Sequence, residues 1–126
     1  MDSKEFIKAI KQVVHDDIIK DLMDDLENPS GRKPPKNLVA LSEYMSNLSS
    51  TDRSLLQKII GHATHRAIFG LLCVLDGVRA IENSTEKGEL KLYWEKDGEK
   101  VSINNRESED LHDSYQSEVY SEIFGD

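Results

Sequence analysis

Phe6, Ile7, Ile10, Val13, Val14, Ile18, Leu22 and Leu26 recur at steps of three and four residues. That spacing describes one face of a helix. Asp2 and Glu5 supply the acidic first turn that suits a helix N-terminus. Asn28-Pro29-Ser30-Gly31 ends the pattern, and Pro34-Pro35 keeps the linker extended. A shorter helix follows through Leu38, Leu41, Tyr44, Met45 and Leu48. Ser49-Ser50-Thr51-Asp52 offers N-caps for a third helix, whose apolar positions run from Leu55 to Val78 and Ile81. Between Ala67 and Leu75 the chain is apolar nearly all round, which predicts a central helix covered on several sides. Gly61, Gly70 and Gly77 weaken it and suit close approach of a neighbouring backbone, a kink or a break.

The period then changes from helical to alternating. Leu90, Leu92 and Trp94 alternate with Lys91, Tyr93 and Glu95, and Val101 and Ile103 continue the alternation beyond Asp97-Gly98. This predicts a β-hairpin with one buried face and a tight turn. Buried in this way, Trp94 is expected to hold the fold by roughly 3–5 kcal/mol. A lone hairpin is marginal in water, so it has to pack on the helices or find another strand. Leu111, Tyr115, Val119 and Ile123, spaced by four, predict a short C-terminal helix. The fold class is therefore α+β and mainly helical. Three N-terminal helices, the third long and central, precede a hairpin and a final helix, within one globular domain over residues 1–126.

Composition narrows the function. A chain of 126 residues with 37% apolar and 32% charged side chains suits a small globule with a thin core. Cys73, the single cysteine, lies in an apolar run and reads as a core residue. The charged start, Met1 to Glu5, does not read as a signal peptide, and the longest uninterrupted apolar stretch is far below a membrane span. The expected location is the cytoplasm, with no membrane partner. A net charge of −8 argues against direct binding of nucleic acid.

The charge is concentrated in two places. Asp16 to Glu27 carries six carboxylates against one Lys20, and Glu107 to Asp126 carries seven with no Lys or Arg. The first cluster suits a solvated helix face as well as a binding face. The second is interleaved with Tyr115, Tyr120 and Phe124, and aromatic anchors beside charge favour a protein interface. The expected partner-binding residues are Glu109, Asp110, Asp113, Tyr115, Glu118, Tyr120 and Glu122.

Catalytic patterns are weak by comparison. His62 and His65 can share a helix face but lack a third ligand nearby, so neither metal nor cofactor is expected. Arg106 and His112 stand six apart, which resembles the Arg–His spacing of helical ribonucleases of the HEPN type. That likeness covers two residues, in acidic sequence that repels RNA. With no phosphate loop, nucleophile elbow or Cys–His arrangement, an enzyme is not expected.

Small size, acidity, one cysteine, a helical body and a late hairpin together resemble the bacterial immunity proteins, as a type and without a shared motif. The resemblance implies an inhibitor that covers a cognate toxin, often a basic nuclease, with acidic residues in place of substrate phosphates. The alternative is a structural or regulatory adaptor in a bacterial cytoplasmic complex, self-associating as a homodimer through an exposed hairpin edge.

Overall fold

A computed structural model describes residues 1–125; Asp126 lies outside the described residues. The chain is mainly helical, with one two-stranded antiparallel sheet. The first predicted helix is continuous but not uniform: α1 (Ser3–Ala9) runs into a π-helical stretch (Ile10–Asp16) and then into α2 (Asp17–Glu27). α3 (Lys36–Ser46) and α4 (Ser50–Leu75) follow, then β1 (Tyr93–Lys96), β2 (Glu99–Ser102) and α5 (Leu111–Phe124).

The π stretch changes which residues face inward. Widening a helical turn by one residue rotates everything after it by about 100° relative to an unbroken α-helix. Val13 and Ile18, expected on the buried face, are exposed, and His15 is buried in their place. Asp2 caps α1 by accepting the Glu5 N–H at 2.9 Å, and Ser49 caps α4 through the Asp52 N–H at 3.1 Å.

α4 stops at Leu75, three residues before Val78 and six before Ile81, which were expected to continue it. Gly77 has φ +77°, the Val78 N–H reaches the Cys73 carbonyl and the Gly77 N–H reaches the Val74 carbonyl. These two bonds form a Schellman end, which needs a residue that tolerates positive φ. α4 packs chiefly on α5, with α2 against its N-terminal half. One side is left uncovered, against expectation: Leu55, Ile59 and Leu71 are all more than half exposed.

The hairpin has the expected turn, with Asp97 at φ 52° and Gly98 at φ 80°, both positive as a type I′ turn requires. Trp94 pairs with Val101 and Tyr93 with Ser102. The strand proper begins at Tyr93 and not at Leu90, and its face is not buried: Trp94 is 39% exposed. The large stability cost expected of Trp94 does not apply to a ring in that position. Only the base of the hairpin enters the core, through the buried Ile103 and half-buried Leu92. Asn104 fixes it there. Its Oδ1 accepts the Leu92 N–H, and its Nδ2 donates to the Leu75 and Leu90 carbonyls, all within 2.8 Å. The core itself gathers Ile7, Leu72, Ile103, Leu111, Tyr115 and Val119, so α5 lies between α1 and α4.

Candidate functional site

The C-terminal acidic residues do not form one surface. Tyr115 is 0% exposed and belongs to the core, so it is withdrawn from the expected partner-binding set. Its i, i+4 spacing with Leu111 and Val119 is the buried stripe of α5. Asp113 and Glu122 are nine residues apart, two and a half turns, and so occupy opposite sides of the helix. Asp113 and Tyr120, seven apart, share the outer side, while Glu122 turns toward Lys11 of the π stretch and Glu118 lies one turn before it. Glu109 and Asp110 precede the helix; both are exposed, as are Asp113, Glu118, Tyr120 and Glu122.

An open groove of about 710 Å³ lies between the first helix, α4 and the end of α5. Asp16, Asp24 and Glu122 line it together with Lys20 and Lys58, so three carboxylates face two ammoniums. Phe124 forms part of its wall, 51% exposed, and packs at a 42° tilt against the 55% exposed Tyr120, 5.1 Å between ring centroids. Gly61 sits at the floor, where a Cβ would stand 3.5 Å from Ile123 Cδ1.

One end of the groove carries a polar cluster that sequence reading missed. The Lys11 ammonium binds Glu122 at 2.6 Å and Asp16 at 2.9 Å, and these hydrogen bonds raise its pKa. His15 Nδ1 is 2.7 Å from the Tyr115 hydroxyl, and His15 Nε2 is 3.8 Å from Glu122. His15 is the only partner that Tyr115 has among the described side chains, and the two share one buried hydrogen bond whose direction follows the imidazole tautomer. Burial holds the His15 pKa below its ordinary value, against the pull of Asp16 and Glu122. Burial likewise raises that of Tyr115.

His15, Asp16 and Glu122 place possible metal-binding atoms within 4.8 Å of one another. Lys11 already serves as the cation for both carboxylates. The geometry is that of an internally neutralised ion cluster.

The two histidines singled out in the sequence separate. His62 lines the groove, edge-on to Phe124. His65 is buried, stacked between Phe69 at 5.7 Å and Tyr115 at 5.6 Å, and its Nε2 has no hydrogen-bond partner among the described residues. His112 is not paired with Arg106, which instead binds Glu89 at 3.2 Å. The His112 Nδ1 lies 2.6 Å from the Asp76 carboxylate, which also accepts the Leu111 and His112 backbone N–H groups. The residue ending α4 thereby caps α5, a long-range link with no local sequence signal. Cys73 is buried with its thiol pKa raised by that burial, as a core cysteine.

No family model, curated protein or solved structure matches this chain. Its function therefore has to be argued from its own surfaces.

Proposed function

We propose that the chain acts by binding another protein, as a stoichiometric inhibitor of a basic partner in the manner of an immunity protein. One observation carries this reading: the exposed, tilted Tyr120–Phe124 pair stands beside a groove whose wall includes Asp24, a carboxylate with no ion-pair partner among the described residues. Exposed aromatic faces beside carboxylates suit the Lys and Arg side chains of a partner, through cation–π contact and charge-assisted hydrogen bonds. The acidic stretches of α2 and α5 add long-range attraction that accelerates encounter and weakens with salt.

The site differs from the one expected of the sequence in its anchors. Tyr120 and Phe124 take the role assigned to Tyr115, with Asp113 on the same outer side of α5, while Glu122 is held by Lys11. Glu109, Asp110 and Glu118 serve as rim charges.

The test is a tagged pull-down from the native cell, followed by co-expression with the captured protein. The expected result is one basic protein in stoichiometric amount, released by salt, whose toxicity the chain suppresses. Tyr120→Ala is expected to weaken that complex by tenfold or more, about 1.4 kcal/mol, and Asp113→Arg to slow association. Capture of no partner, or a complex indifferent to both changes, rejects the inhibitor reading.

A further inference from the structure

α4 carries a second surface, on the side away from the core and apart from the groove. Leu55, Ile59, Ala63, Ala67 and Leu71 follow one another at intervals of four and are all exposed. Residues four apart form a continuous ridge on a helix, the kind that interdigitates with a ridge of a neighbouring helix. From Ser54 to Leu75 there is no carboxylate, in a chain with 24 of them.

Two charges mark the ends of this surface, and the exposed Arg66 stands along its edge, on the side of Leu55 and Ile59. Asp52 is exposed in the first turn of α4 and forms no ion pair among the described residues. The Arg79 guanidinium folds back over Gly70, where its Nη1 lies 2.5 Å from the point a Cβ would occupy, and it too lacks an acidic partner there. Asp52 and Gly70 are eighteen residues apart, five full turns, so the carboxylate and the guanidinium stand on the same side of the helix.

From this pattern we infer that the outer face of α4 is the contact surface of a homodimer, in which two copies pack α4 against α4 in antiparallel fashion. When Asp52 is set opposite Gly70 of the second copy, Leu55 falls opposite its Ala67 and Ile59 opposite its Ala63. Each large side chain meets a small one, and the two-fold axis repeats every contact. The same register brings Asp52 to the Arg79 guanidinium of the second copy twice, pairing charges that have no partner in the single chain. The choice of a second copy rests on this match: one register satisfies the size alternation and pairs Asp52 with Arg79 twice, leaving Arg66 at the solvent edge.

The contact spans eighteen residues, about 27 Å of helix, and the outer half of a helix that long offers on the order of 400 Å² per copy. Stable interfaces bury about 800 Å² per partner. The dimer is therefore a weak one, dissociating in the micromolar range or above. It does not use Tyr120, Phe124 or the groove, so it stands independently of the inhibitor reading. It also places self-association on α4 and not on the hairpin edge.

Sedimentation of the intact chain, from low micromolar to near-millimolar concentration, tests this directly. The wild type is expected to pass from monomer to dimer, and Ile59→Glu, at an exposed position, to remain monomeric with an unchanged circular dichroism spectrum. Asp52→Arg and Arg79→Asp set like charges opposite each other in their own homodimers, and each is expected to weaken association at least tenfold. Mixing the two variants restores both opposite-charge pairs and is expected to recover dimer mass. A wild type monomeric throughout overturns the inference, as do variants that dimerise like the wild type or a mixture that recovers nothing. Partition of a monomeric chain onto anionic phospholipid vesicles, lost in Ile59→Glu, would assign the same ridge to a membrane surface instead.

Discussion

His65 shows how a single side chain can be well packed and poorly satisfied together. Its ring lies between Phe69 and Tyr115, with Phe124 edge-on at 5.5 Å, so the contact surface is that of an aromatic core residue. Its Nε2 has no partner among the described residues, and a buried polar atom left unpaired costs about 1–3 kcal/mol. Phenylalanine keeps the stacking and removes the nitrogen. His65→Phe is expected to stabilise the fold by about 1 kcal/mol, read as a higher urea midpoint at neutral pH. An unchanged or lower midpoint would show that the histidine is satisfied in solution. His15 is the contrasting case, since the Tyr115 hydroxyl takes up its inward nitrogen. Sequence reading singled out His65 by its helical spacing from His62, yet passed over His15. The signal for His15 was hidden because its inward direction follows from the π stretch, which no residue between Ile10 and Asp16 announces.

At the scale of elements, the start of α4 and the hairpin turn were more legible than the helix faces. The Ser49 cap and the Asp97-Gly98 turn rest on local chemistry, and the structure has both, while Asp2, expected in the first turn of α1, stands just before it as the cap. Burial did not follow as directly. The alternation of Leu92 and Trp94 is real, but a two-stranded sheet has a buried face only where something lies against it, and that holds for Leu92 alone. Likewise, an apolar helix reads the same whether its outer side is covered or bare, and α4 is bare there. The start of α5 depends on Asp76, thirty-five residues earlier than Leu111. That carboxylate is 3% exposed and accepts three hydrogen bonds from α5. Asp76→Ala removes them all and is expected to cost about 3 kcal/mol, with Asp76→Asn less damaging because it keeps acceptor oxygen. Chemical denaturation of both variants measures this, and equal stability of Asp76→Ala and wild type would exclude the cap as a support.

For the molecule as a whole, the buried histidines tie stability to pH. Burial lowers the pKa of both His15 and His65 from the ordinary 6.5, and for His65 the neighbouring His15, His62 and Arg66 push the same way. In the unfolded chain both take up protons near the ordinary value, while the folded chain resists until a lower pH. Stability is therefore complete above that value and falls as pH drops from it toward the lowered ones. The slope reaches about 1.4 kcal/mol per pH unit for each histidine where only the unfolded state is protonated. Urea midpoints are expected to fall between about pH 7.5 and about pH 5.5, and His65→Phe to flatten that fall. A midpoint constant over this window would mean that the rings accept protons without disturbing the fold.

The position of Trp94 has a consequence for how unfolding is observed. It is the chain's only tryptophan, and it stands on a hairpin whose inner contacts are made by Leu92 and Ile103 at the base. Its emission therefore reports the opening of the hairpin, whereas the far-ultraviolet dichroism reports the helices, α5 between α1 and α4 among them. Should the emission change at lower urea than the dichroism, the early step is the hairpin lifting from an intact helical body.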